Sequence, residues 1–80
     1  MIVELLIPAI SRSFDFQLPA GGQVHSVIEE IIRILEQTQP GLCFDRTYPV
    51  LCHLDDGRIL DPNDNLAVAG VYDGVRLMLL

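Results

Sequence analysis

Eighty residues, half of them apolar, carry a formal charge of −6 without a single lysine. An acidic surface repels phosphate backbones, so nucleic acid is an unexpected partner, and the five arginines are scattered rather than clustered. No stretch approaches the roughly 18 apolar residues of a membrane span, so direct membrane insertion is not expected, and the length suits one domain over 1–80.

Residues Ile2 to Ile7 alternate as a first strand, with Val3, Leu5 and Ile7 expected inward. Pro8 closes it, Ala9 to Arg12 turn the chain, and Ser13 to Leu18 read as a second strand with Phe14, Phe16 and Leu18 inward. Pro19-Ala20-Gly21-Gly22 punctuates the chain before its one long helix, about 24–37. There Val24, Val27, Ile28, Ile31, Ile32 and Leu35 recur at helical spacing on one face. The helix lacks a preferred N-cap residue, and Pro40-Gly41 ends it. Gln39 to Pro49 reads as irregular, with Leu42 and Phe44 expected under the helix end. Val50 to Leu54 is a third strand, Asp55-Asp56-Gly57 a turn, and Arg58–Leu60 a very short strand. Leu66 to Ala69 form a helical turn capped by Asp64 or Asn65 and ended by Gly70; Val75 to Leu80 are the last strand, with Val75, Leu77 and Leu79 inward.

The order β-β-α-β-β-(short helical turn)-β predicts an α+β fold of the β-grasp type. A mixed sheet of 4–5 strands is crossed by one helix, and the two terminal strands are central. From this point the chain resembles ubiquitin, best in Asp56-Gly57-Arg58, Leu60, Leu66 and Val71. More specifically it is similar to the YukD/EsaB-type ubiquitin-like proteins of type VII (WXG100) secretion loci, and to the N-terminal ubiquitin-like domain of EccD. The residues that carry this are Phe16-Gln17-Leu18-Pro19, and Asn65-Leu66, Gly70-Val71, Asp73-Gly74, Leu77 and Leu79-Leu80 near the end.

The resemblance implies a cytoplasmic accessory or regulatory protein that works by docking. Its partners would be a secretion membrane component or its ATPase, which could hold it at the inner face of the membrane, and its state a monomer or weak homodimer. Met78-Leu79-Leu80 stands where a conjugated or sulfur-carrying relative has a Gly-Gly tail, which points away from conjugation and from a carrier role. The alternatives are an excised ubiquitin-like domain of a larger membrane protein and a β-grasp adaptor unrelated to secretion.

No enzyme constellation stands out, and neither cofactor nor metal is expected. His25, in the first helical turn, lacks an obvious acid–base partner. Cys43 and Cys52 read as free thiols of a reducing compartment. Cys52-His53 diverge to opposite faces of a strand. A zinc set of Cys43, Cys52, His53 and His25 lacks paired spacing, and turn chemistry accounts for the carboxylates at 55–58 and 61–65. One surface does stand out. Taking Cys52 as inward with Val50 and Leu54, the opposite sheet face would gather Leu6, Leu51, His53, Arg76, Met78 and Leu80 into an apolar patch with a basic rim, the expected protein-binding site.

Overall fold

A computed structural model describes residues 1–42 and 49–80. Strand β1 (Ile2–Ile7) buries Val3, Leu5 and Ile7 completely, as period-two alternation requires. A 3₁₀ turn at Pro8–Ile10, closed by Ser11 in the left-handed region (φ 51°), leads into β2 (Arg12–Gln17). The two strands pair antiparallel, with Val3 opposite Phe16 and Leu5 opposite Phe14.

Helix α1 (Val24–Thr38) buries Val24, Val27, Ile28, Ile31, Ile32 and Leu35, the face set by the sequence periodicity. Its N-terminus has no side-chain cap. The carbonyls of a distant turn take that place: Val24 donates its N–H to Asp64 (2.9 Å) and His25 to Pro62 (3.1 Å), while Leu66 donates back to Gly22 (2.9 Å). Two of the first-turn donors that a helix leaves unpaired, those of Val24 and His25, are thus satisfied by tertiary structure.

Strands β3 (Leu51–His53) and β4 (Arg76–Leu79) complete one sheet in the order β2-β1-β4-β3. β1 and β4, from the two ends of the chain, lie parallel at its centre, and β3 pairs antiparallel with β4. This is the expected β-grasp, with four strands among the described residues. Arg58–Leu60 contributes a single bridge, Ile59 to Cys52, in place of a fifth. The helical turn is present: Ala69 bonds back to Asn65 (3.0 Å), the Asn65 Oδ1 accepts the Val68 N–H (2.9 Å), and Gly70 ends it at φ 80°. Leu42 packs against the core, as expected; Phe44 and Cys43 lie outside the described residues.

The expected facing of β3 is wrong. Leu51 pairs with Leu79 and His53 with Leu77, so both point toward α1; Leu51 is a core residue and His53 is buried. Cys52 pairs with Met78 and points the other way. Val50-Leu51-Cys52-His53-Leu54 is apolar enough on both parities for alternation to leave the choice open. Pairing with β4 makes it, and a one-residue shift exchanges the two faces. The inward histidine is tolerated because its Nε2 lies 2.9 Å from the Ala69 carbonyl, which gives the buried ring a partner.

Candidate functional site

The sheet face turned away from α1 is assembled from every strand, and pairing register arranges it in rows. One row runs Leu6, Met78, Cys52, Ile59: Leu6 is the partner of Met78 across β1–β4, Met78 of Cys52 across β4–β3, and Cys52 of Ile59 through the isolated bridge. Paired residues share a face, so four apolar side chains from four segments lie side by side. Ile59 is 66% exposed, Leu6 and Met78 half-buried. Cys52, the shortest, is buried between its longer neighbours, and its Sγ lies 3.6 Å from the Met78 carbonyl oxygen. Burial pushes this thiol above its ordinary pKa, because a thiolate there would lose hydration.

Next to it, Leu80 (59% exposed) exchanges backbone hydrogen bonds with half-buried Val50. On the other side a charged row begins with Asp15 opposite Glu4, and Glu4 beside Arg76. The Arg76 guanidinium bonds Asp55 at 2.6 Å. The face is therefore an apolar band bordered by a row of mainly acidic charge.

Of the six residues expected to form the patch, Leu6, Arg76, Met78 and Leu80 share this face. Leu51 and His53 do not. Cys52 and Ile59 take their places; nothing in Arg58-Ile59-Leu60 distinguishes the outward residue, and only the bridge of Ile59 to Cys52 does so. His53 belongs to a different cluster. Its Nε2 meets both the Ala69 carbonyl and, at 3.1 Å, the Arg58 Nη2. Only one of these can be a hydrogen bond at a time, since a neutral imidazole nitrogen either carries a proton or offers a lone pair.

Among the described residues, His25, Asp56 and Asp61 are engaged in structural hydrogen bonds. His25 is exposed, its Nδ1 3.0 Å from the Pro62 carbonyl, a bond that ties the helix start to the 61–65 turn. Asp61 and Asp56 accept N–H groups two residues on, from Asn63 and Arg58 respectively (both 2.9 Å), which is turn chemistry. Cys52 and His53 face opposite sides of the sheet, so they form no nucleophile–base pair.

The family model described as "WXG100 protein secretion system (Wss), protein YukD" matches residues 2–79, and the chain belongs to this family. No curated protein sequence matches it. Among solved structures it is similar to the EccD5 ubiquitin-like domain from Mycobacterium xenopi: 24% identity, TM-score 0.79, covering 99% of this chain and 90% of that one. It is also similar to the ubiquitin-like domain of the Mycobacterium tuberculosis type VII secretion system protein ECCD1, with 22% identity, TM-score 0.67 and 100% and 98% coverage. A third match is to a chain of the MycP5-free ESX-5 inner membrane complex, with 21% identity and TM-score 0.79. There 99% of this chain aligns with 20% of that one. These likenesses establish the ubiquitin-like fold.

Proposed function

We propose that this YukD-family chain is an accessory protein of a type VII secretion system that acts by protein–protein docking, on the cytoplasmic side of the membrane, through the open face of its sheet. The observation that carries this reading is the row Leu6–Met78–Cys52–Ile59, extended by Leu80. An apolar band of this kind on the solvent side of a small domain is characteristic of a contact surface. Met78 at its centre suits adaptable contacts. Docking rather than catalysis is supported by the engagement of His25 with Pro62 and by the opposed directions of Cys52 and His53. Among the described residues no helix is long and apolar enough to cross a membrane. The proposed partner is a secretion membrane component or its ATPase.

The test is affinity capture from lysate of the native host with the wild-type chain and with Met78→Asp/Ile59→Asp. Recovery of a secretion membrane component or the ATPase by the wild type alone supports the reading. Equal recovery by a folded double variant moves the site off this face. A second reading, a ubiquitin-like domain belonging to a larger membrane component, is favoured by the ESX-5 likeness, where the matching region is one part of a longer chain. The coding sequence following Leu80 in the genome decides between the two.

A further inference from the structure

β2 is an edge strand, and among the described residues nothing pairs with its outer side. Its hydrogen-bonding phase follows from one pair. Leu18 donates to the Met1 carbonyl (2.8 Å) and the Met1 amino group to the Leu18 carbonyl (2.9 Å), so these two residues bond each other directly. Antiparallel ladders alternate, so Phe16, Phe14 and Arg12 aim their backbone groups at β1, while Gln17, Asp15 and Ser13 aim theirs outward. Alongside this edge, between β2 and α1, lies an apolar cavity of about 150 Å³ walled by Phe16, Leu18, Pro19, Val27, Ile31 and Ile34. A row of unsatisfied backbone groups next to an apolar slot is the chemistry that an added strand satisfies.

Charge specifies what that strand carries. Asp15 and Glu4 are directly opposite, in a non-hydrogen-bonded pair where side chains come closest, and like charges there repel. Arg76, the nearest cation on the β4 side, is bonded to Asp55, and among the described residues no cation pairs with either carboxylate. A strand added to β2 would place the residue opposite Asp15 on this same open face, and a lysine or arginine there would pair with Asp15 and offset half of the charge of the two carboxylates. Its neighbour opposite Phe16 would point to the helix side, into the cavity, and the one opposite Phe14 would follow the same face. A second copy of this chain fits poorly, because twofold pairing of β2 edges about Asp15 would bring two such carboxylates together.

We propose that the β2 edge and the β2–α1 cavity form a second docking site. It takes an extended segment of a partner protein as a fifth strand, with an apolar–basic–apolar pattern whose basic residue faces Asp15. This site is independent of the apolar band on the open face.

The test is an NMR titration of the full chain with acetylated, amidated synthetic peptides, Gly-Ser-Val-Lys-Val-Ser-Gly and its Val-Glu-Val counterpart. The expected result is amide shifts at Ser13, Asp15, Gln17, Ile31 and Ile34, with the lysine peptide preferred by about threefold to fivefold, the worth of one cross-strand charge pair. Asp15→Lys, an exposed substitution that leaves the β1 ladder intact, should reverse the preference. Met78→Asp/Ile59→Asp should leave it unchanged, which separates this site from the open-face reading. Absence of shifts, shifts centred on Met78 and Ile59, or a preference indifferent to Asp15→Lys would overturn the proposal.

Discussion

Val24, the first residue of α1, hands its backbone N–H to the carbonyl of Asp64, forty positions further along the chain and 2.9 Å away. With the His25–Pro62 bonds and the return bond from Leu66 to Gly22, this makes the helix start and the 61–66 turn one mechanical unit. Asn65 shapes that turn by accepting the Val68 N–H. Asn65→Ala should therefore cost about 1 kcal/mol, the usual worth of a cap, and lower the Tm by roughly 4–8 °C in a domain of this size. Hydrogen exchange should show Val24 and His25 losing protection while Ile31 and Ile32 keep theirs.

Leu51 and Ile59 make a matched pair of tests. Leu51 is 1% exposed in the core, so Leu51→Ala should destabilise by about 2–5 kcal/mol through lost burial and a residual cavity. Ile59→Ala removes a side chain already in water and should change denaturant stability by less than about 0.5 kcal/mol. Urea titration of the two variants checks the facing of β3 directly. A small effect at Leu51 would contradict it.

Gly70 holds φ 80° beneath the Arg58 side chain, where an added Cβ would come within 2.6 Å of Nη2. Gly70→Ala combines backbone strain, on the order of 1 kcal/mol, with displacement of the guanidinium from His53. The second part disappears once Arg58 is shortened. Gly70→Ala should thus be milder in an Arg58→Ala background, and a double-mutant cycle on thermal stability measures the difference.

Cys52 should react slowly with a disulfide reagent at neutral pH, because burial both covers the thiol and raises its pKa. The assay is made in a Cys43→Ser background so that one thiol is counted. The linkage has a definite sign. A thiol whose pKa is higher folded than unfolded keeps its proton longer in the native state, so stability falls as pH rises above the unfolded thiol value of about 8.5. Cys52→Ala should flatten that alkaline decline, and urea midpoints between pH 7.5 and 10 would show it.

Strong local patterns made most of the fold legible in the residues. Ile2–Ile7 alternates cleanly, and Val24–Leu35 repeats at helical spacing. Gly70 and Asn65 carry the chemistry of the turn they make. Two parts of the fold are set by distant residues. At the start of α1 the residues 21–23 offer no cap, and its substitute comes from Pro62 and Asp64, which no local pattern connects to the helix. Around β3, the five consecutive side chains Val50 to Leu54 suit burial on either parity, so alternation alone puts Leu51, His53 and Cys52 on the wrong faces.

The residues by themselves determined the class of the molecule: a β-grasp order of strands about one helix, which face of that helix is apolar, and the resemblance of the last strand to the YukD type. Each of these depends on interactions a few positions apart, where spacing alone settles which side chains can share a face. The content of the open face was decided only in three dimensions. Leu6, Met78, Cys52 and Ile59 come from four separate segments, and only pairing register brings them into one row and leaves Asp15 facing Glu4. Register is a property of two strands at once, and because side chains alternate every residue, a single step in it exchanges core for surface.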